Sequence, residues 1–418
     1  MTRTVHIVGA GVAGLAAAVR LAQRGVRVAV HESAGQAGGR CRSYHDTQLG
    51  MTIDNGNHLL LSGNHATLAY LKATGAVHRL PQPLSAAFPF IDLKTRERWT
   101  LEFNDGRIPW WVFDKRRRIP GTGPTDYLAL ARLLLPGSGT VADRVPANGV
   151  VYDRLVEPLI VAALNTDPSE GSAALAAAVI RETLAAGGRA CRPLIARDGL
   201  SPTLIEPALS ALDKLGSPVR FNRRLRALKT IDGKITGLDF GDDVIGLGAA
   251  DAVILAVPPV VATDLVPGLQ APTEFRAIVN AHFRIDPPAD FPPMIGLINA
   301  TTEWIFAFPG RLSVTISAAD RLLETGRDEL ASTIWREVAA VAGLPDALPP
   351  WQIVRERRAT FAATPQQNAR RPQAATRYGN LFLAGDWTAT GLPATIEGAI
   401  RSGNRAADLV GSSERTNE

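Results

Sequence analysis

The sequence predicts an α/β fold in which a discontinuous Rossmann-like domain carries an inserted, mixed α+β domain. Three observations predict it. A strand, a glycine-rich turn and a helix open the chain at residues 5–25. A strand ending in Gly385-Asp386, with a helix beyond it, closes the chain. Between them lie a strand-rich segment at 219–259 and several helical stretches, more than one Rossmann module needs. At ~100–200 residues per domain, 418 residues allow two or three domains.

The opening elements each have a physical reason. Val5–Val8 is an apolar run that reads as a buried parallel strand. Gly9-Ala10-Gly11-Val12-Ala13-Gly14 follows. Val12, Leu15, Ala16 and Val19 then recur at helical spacing until Gly25. Val26, Val28 and Val30 form a second strand, with Glu32 at its end. In this arrangement Gly9 permits a tight turn, Gly11 lets the backbone approach a pyrophosphate, and Gly14 lets helix and strand pack closely. The helix N-terminus offers free N–H groups to the phosphates. Glu32 lies 18 positions after Gly14, near the ~20-residue offset expected for an acid on a ribose hydroxyl. Together these features predict a bound dinucleotide.

Further along, Val219–Leu228 reads as a strand, a turn follows at Asp232-Gly233, and a second strand ends at Asp239-Phe240. Ala252–Val257 reads as a buried strand stopped by Pro258-Pro259. Helical stretches are expected around 126–135, 150–164 and 172–186. Strands are expected at Ile295–Ile298, Trp304–Phe308 and Leu312–Ser317, and a helix from Arg327 to Ala342. Asn380–Asp386 reads as the closing strand and Pro393–Gly403 as the start of the last helix. The tail after Gly411 is polar and expected to fray.

Composition excludes several function classes. With 46% hydrophobic and 20% charged residues, the chain is neither disordered nor collagen-like. A net charge of +5 (45 basic against 40 acidic residues) suits an anionic cofactor or lipid surface and argues against a nucleic-acid binder, whose cations would gather on one element. Cys41 and Cys191 form neither a disulfide framework nor a metal-ligand pattern, so no metal and a reducing, cytoplasmic compartment are expected. No apolar run approaches the ~18 residues of a membrane span. With a strand expected from Val5, no signal peptide is expected.

A second glycine pair follows Glu32, in Ser33-Ala34-Gly35-Gln36-Ala37-Gly38-Gly39-Arg40. It resembles the Gly-Gly-Arg segment of the flavin amine oxidase and phytoene desaturase superfamily, and the Gly385–Gly403 stretch resembles that superfamily's closing FAD motif. The resemblance implies FAD as the cofactor. It places Gly9, Gly11, Val12, Ala13, Gly14, Glu32, Ser33, Gly38, Gly39 and Arg40 around it, with Gly385, Asp386, Thr395 and Ile396 from the other end of the chain. It also implies that Gly56, Asn57 and His58 pass the flavin ring, and that Leu225 offers backbone contacts to the adenine. Both ends must then meet around one cofactor. The expected FAD-binding domain is 1–84, 190–262 and 362–413, and the expected substrate domain is 85–189 and 263–361.

Three segments resemble something narrower: 54–75 (DNGNHLLLSGNHATLAYLKATG), 157–166 (EPLIVAALNT) and 385–403 (GDWTATGLPATIEGAIRSG). Together they resemble the bacterial hydroxysqualene dehydroxylase family of hopanoid synthesis, over essentially the whole chain. The resemblance implies reduction of hydroxysqualene, a C30 allylic alcohol, to squalene by reduced FAD with loss of water, and a hydroxysqualene synthase as neighbour. Hydroxide leaves poorly without a proton donor, and a dry apolar site protects the allylic cation. The candidate donors are His58, Glu157 and Asn165. A carboxyl buried beside Leu159 and Ile160 would have a raised pKa. The plainer reading is that Glu157 caps or pairs within the fold and His58 bonds backbone. Ala277–His282 has no lysine where amine oxidases carry one, and Ala394-Thr395 stands where they place an aromatic. Two other readings remain: a carotenoid-type prenyl desaturase or oxidase, and a flavin- or prenyl-binding protein without turnover.

Trp110-Trp111-Val112-Phe113 followed by Lys115-Arg116-Arg117-Arg118 joins interfacial aromatics to cations. It suits peripheral contact with the inner face of an anionic cytoplasmic membrane. A core strand ending in a solvated basic turn is the alternative.

Overall fold

The computed structural model describes residues 3–135 and 137–412; residues 413–418 of the expected frayed tail lie outside the described residues. The first sheet is parallel and five-stranded. Its order is Leu381–Leu383, Ala252–Leu255, Thr4–Val8, Arg27–His31, Val219–Arg220. Strands from three distant parts of the chain therefore alternate in one sheet. Val5, Ile7, Val253, Ile254 and Leu383 are fully buried, as unbroken apolar runs in a sheet covered on both faces require.

The first helix, Val12–Ala22, lies against this sheet and buries all its residues but Arg20. The last helix, Ile396–Ser412, packs across it. The contact is close because Gly403 has no side chain: a Cβ there would sit 2.1 Å from the Ala13 carbonyl oxygen. Arg20 and Arg24 also pair with Asp408 at 2.9 and 2.7 Å, outside the dry seam.

One strand expectation is corrected. Val219–Leu228 is two strands in two sheets. Val219–Arg220 closes the parallel sheet, the chain turns at Asn222 (φ +56°), and Ala227–Ile231 begins an antiparallel meander with Lys234–Asp239 and Val244–Gly246. The polar run Asn222–Arg224 offers no apolar face that would hold it in either sheet.

The second sheet has seven strands, in the order Trp351–Phe361, Phe275–Arg284, Arg311–Ile316, Trp304–Phe308, Met294–Ile298, Ala86–Asp92, Arg98–Phe103. The hairpin at 86–103 joins it through one parallel pairing, Gly296 opposite Phe90. Helix Arg327–Ala342 covers one face, packing Leu330, Ile334, Trp335 and Val338 on Val279, Ala281, Ile305 and Val314. The opposite face carries Met294, Phe306 and Phe308. They pack with Leu59, Phe88, Ile195 and Trp304, and so lean on the segment that follows residues 54–58.

A helical layer lies beyond the 86–103 hairpin: Leu128–Leu133, Glu157–Leu164 and Ala173–Glu182. Trp110–Phe113 is a short 3-10 turn here, neither a core strand nor a uniformly exposed run. Trp111 and Val112 are buried, whereas Trp110 and Phe113 point outward. Of the basic cluster, Arg118 is buried and donates to the Val112 carbonyl at 2.6 Å. Arg117 pairs with Glu102, leaving Lys115 and Arg116 exposed.

Gly403→Ala tests the helix seam. The new methyl meets backbone that cannot yield without moving a helix, so about 1–3 kcal/mol of stability is expected to be lost. Thermal unfolding checks it; an unchanged melting temperature contradicts the seam.

Candidate functional site

The glycine turn after the first strand has three distinct geometries. Gly9 is left-handed (φ +105°), and a Cβ there would lie 2.3 Å from the Ala256 carbonyl oxygen. At Gly14 a Cβ would sit 2.0 Å from the Gly9 carbonyl oxygen and 3.1 Å from the Ala256 Cβ, so this position sets how closely helix and strand approach. Gly11 differs: a Cβ would meet nothing within 4 Å. It precedes a helix that has no side-chain cap, so the first-turn N–H groups around Val12, Ala13 and Gly14 stay available to an anion.

Glu32 sits directly after the second strand. Its carboxylate accepts from the Ala10 N–H at 2.7 Å, the Ala34 N–H at 2.8 Å and the Ser33 hydroxyl at 3.1 Å. It therefore ties the glycine turn to the next loop. The chain at 220–223 runs alongside: Glu32 N–H donates to the Arg220 carbonyl at 2.8 Å, and Arg223 N–H to the Glu32 carbonyl at 2.8 Å. Leu225 follows, its side chain buried with Phe240 and Leu238.

The second glycine pair is folded onto the first. Gly38 N–H donates to the Ala10 carbonyl at 2.9 Å, and a Cβ on Gly39 (φ +56°) would be 3.6 Å from the Gly11 Cα. Arg40 then reaches the other end of the chain. Its guanidinium donates to Asp386 Oδ1 at 2.7 Å and to the Ala359 carbonyl at 2.5 Å. The Asp386 charge raises the Arg40 pKa further above neutrality. Asp386 is buried, and Gly385 ahead of it adopts φ +146° and donates to the Ser402 hydroxyl at 3.0 Å. Thr395 caps the last helix: its hydroxyl accepts from the Gly398 N–H at 3.0 Å, just before Ile396 begins the helix.

Sequence reasoning missed Arg371. It is buried and donates to the Asp386 carbonyl at 3.0 Å and to the Thr390 hydroxyl at 2.8 Å, fixing the 386–390 loop. Burial lowers its pKa to about 10, with Asp386 opposing, so it stays charged. Nothing in the local sequence around Arg371 marks it; only the loop it supports does.

Residues 54–58 lie on the second sheet. Asp54 is buried and accepts from the Ser43 hydroxyl at 2.6 Å and the Leu200 N–H at 2.9 Å, with Arg311 at 3.6 Å. A Cβ on Gly56 would be 3.1 Å from Asn280 Nδ2. Asn57 N–H donates to Asn280 Oδ1 at 3.3 Å, and its amide donates to Thr315 Oγ1 at 3.1 Å. Asn280 stands buried in the lysine-free strand Phe275–Arg284, and its Oδ1 also accepts from the Thr315 hydroxyl at 2.9 Å. Two polar atoms in this region have no protein partner among the described residues: Asn57 Oδ1 and His282 Nε2.

The three candidate donors separate sharply. The His58 ring makes no hydrogen bond among the described residues. It stands between the polar Asp54 region and the apolar cluster under Leu59. Burial lowers its pKa to about 4, Asp54 opposing and Arg40 assisting, so its ring is neutral at pH 7. Glu157 is not buried beside Leu159 and Ile160 as expected. It is exposed at the start of helix Glu157–Leu164, because the apolar residues after it turn their own face inward. Its pKa is nonetheless raised, by partial desolvation and by Asp167 and Asp153. Asn165 terminates that helix in the left-handed region (φ +50°). Its amide is wholly committed, Nδ2 to Thr360 Oγ1 at 2.9 Å and Oδ1 from the Ala318 N–H at 2.6 Å. It bolts the helix to the second sheet rather than facing a ligand.

These residues fit FAD. The open face at Gly11, the uncapped helix beside it and the carboxylate of Glu32 form one continuous wall. Glu32→Ala is expected to weaken FAD by about 1.5–3 kcal/mol, the value of charge-assisted ribose bonds. Unchanged flavin retention after gel filtration contradicts that role. A pH effect also follows. His31, His58 and His282 are held at about 3, about 4 and about 3, and His6 is lowered too, each chiefly by burial. Unfolded, each takes a proton near 6.5; folded, His31, His58 and His282 stay neutral through pH 5, and His6 takes its proton at a lower pH than when unfolded. Stability therefore falls as pH drops from about 6.5 towards 4, by up to ~1.4 kcal/mol per pH unit for each histidine. Urea unfolding on either side of pH 6.5 checks the sign.

Known proteins resemble this chain in sequence and in fold. Residues 12–411 match the model of the flavin containing amine oxidoreductase family. The hydroxysqualene dehydroxylase of Rhodopseudomonas palustris is 58% identical, with 98% of this chain and 99% of that protein covered. That of Sinorhizobium fredii is 57% identical, with 100% of both covered. The structure of cyclohexylamine oxidase from Brevibacterium oxydans superposes with a TM-score of 0.69 at 16% identity, covering 100% of both chains, which shows a shared fold. The protein is thus an FAD-dependent oxidoreductase. The chain belongs to the flavin containing amine oxidoreductase family and, within it, to the hydroxysqualene dehydroxylases.

Proposed function

We propose that the protein reduces hydroxysqualene to squalene. The observation that carries the reading is identity of 57–58% along essentially the whole chain with enzymes named for that substrate. In the reaction a C–O bond breaks, the departing hydroxide takes a proton and leaves as water, and a hydride forms the new C–H bond. Reduced FAD supplies the hydride. The remaining tasks fall to the chain: hold a hydrocarbon by its one polar group, and keep water away.

His58 is assigned the first task. A neutral imidazole carries one N–H and one acceptor nitrogen, and the His58 ring has no competing protein partner among the described residues. Its role is to orient the hydroxyl and stabilise it as it departs. With a pKa near 4 the ring is not an imidazolium acid at pH 7, so the proton comes from another group. Leu59 anchors the segment in the cluster of Met294, Phe306, Phe308 and Phe88, whose apolar surface suits an isoprenoid and excludes water. Glu157 is a less favoured proton source: its pKa is raised, but solvent reaches it. Asn165 holds the helical layer against the sheet. The reading includes peripheral contact with the cytoplasmic membrane, where a C30 lipid partitions, and a neighbouring enzyme that makes the allylic alcohol.

Anaerobic mixing of the chemically reduced enzyme with hydroxysqualene tests the function. Squalene formation with flavin reoxidation is expected. Binding without redox change would indicate an accessory protein, and flavin bleaching by a phytoene-like substrate a desaturase. In the same assay His58→Ala is expected to slow reoxidation about a hundredfold or more, the usual cost of a donor aimed at a developing oxyanion. Because His58 is already neutral, the rate it supports stays flat from about pH 5.5 to 8. A His58-dependent inflection near 6.5 contradicts the assignment.

A further inference from the structure

We propose that the face carrying Ile108, Trp110, Phe113, Leu128 and Leu135 docks the enzyme on an anionic lipid bilayer and draws its lipid substrate from there. The substrate half rests on the dehydroxylase reading above; the docking half does not.

These five large apolar side chains are 59–64% exposed. Trp110 and Phe113 are in ring contact, centroids 6.0 Å apart, and are the exposed large aromatics among the described residues. Two short turns hold them outward. Trp111 is buried and packs edge-on against Tyr127 at 4.9 Å, so the 110–113 turn is fixed to the 124–133 segment that carries Leu128. A soluble protein gains nothing by building a rigid platform of this kind and leaving it wet.

The charge around it favours one occupant. Arg107, Lys115 and Arg132 are exposed on the segments that carry these side chains, and Arg116 is exposed but paired with Asp114. Asp114 is engaged by Arg116 and Arg117 and Asp105 by Arg189 and Arg192, while Asp126, ahead of Leu128, is exposed and accepts from the Gly123 N–H at 2.7 Å, so cations outnumber free carboxylates here. An anionic bilayer matches both the apolar tips and the cationic rim. A second copy meeting this face through a two-fold axis would oppose cation to cation.

The platform is also continuous with the site. Trp111 contacts Phe103 at 5.0 Å, Phe103 contacts Phe88 at 5.7 Å, and Phe88 packs in the cluster under Leu59, next to His58. A series of ring contacts thus runs from the buried side of the 110–113 turn to the cluster that holds Leu59, the residue after His58.

The holoenzyme is sedimented with vesicles of phosphatidylcholine alone and of phosphatidylcholine with phosphatidylglycerol. Salt-sensitive binding to the anionic vesicles is expected. Trp110→Ser/Phe113→Ser and, separately, Lys115→Glu/Arg116→Glu should each weaken it by about tenfold or more. FAD content and turnover of detergent-dispersed substrate should not change, whereas KM for substrate held in vesicles should rise. The proposal is overturned if the parent ignores anionic vesicles, or if parent and variants bind alike. It is also overturned if light scattering finds a dimer that the Trp110→Ser/Phe113→Ser change dissolves. Vesicle binding without hydroxysqualene turnover in detergent would sink the dehydroxylase reading and leave the docking surface standing.

Discussion

The ion pair between Arg40 and Asp386 is the contact on which the site depends. Its two residues are 346 positions apart and meet at 2.7 Å. An aspartate buried to this degree is tolerable only with charge and hydrogen bonds to compensate it. Arg40 supplies them from the first glycine-rich region, and Arg371 supports the same loop through its carbonyl oxygens. Once these are made, the turn at Gly9–Gly14, the pair Gly38-Gly39 and the cap at Thr395 all face one region. Gly403 against Ala13 joins the last helix to the first by close packing instead of charge.

The second sheet has two faces with different chemistry. Helix Arg327–Ala342 seals one with aliphatic and aromatic side chains. The other is divided along the strands. Asn280, His282, Ser313 and Thr315 form a polar patch under residues 54–57, whereas Phe306, Phe308 and Met294 form an apolar patch under Leu59. His58 stands at that boundary. Burial at this boundary disfavours the charged form of the ring and lowers its pKa.

Much of the fold was legible because its signals are local. The run Val5–Val8, the helical spacing from Val12 and the glycines between them are short-range consequences of backbone geometry. The helix at Arg327–Ala342 and the strand at Trp304–Phe308 were likewise set by periodicity. The division of 219–231 between two sheets was not legible: both halves have strand-like composition, and partners elsewhere in the chain choose which sheet each joins. Glu157 misled for a related reason. Its neighbours are apolar, but on a helix adjacent residues point about 100° apart, so an apolar neighbourhood in sequence does not bury the side chain in its midst.

The sequence by itself determined the glycine turns and the family, since both rest on residue types that few other structures require: glycines where a Cβ would collide, an acid after the second strand, Gly-Asp before a closing helix. Tertiary structure alone decided what the polar side chains do. It committed Asn165 to a helix cap, left the His58 ring unpartnered and neutral, recruited Arg371, and sorted Trp110 and Phe113 outward from Trp111 and Val112. The physical reason is that a side chain's burial, partners and charge state depend on what surrounds it in three dimensions, and those surroundings come from segments hundreds of residues away.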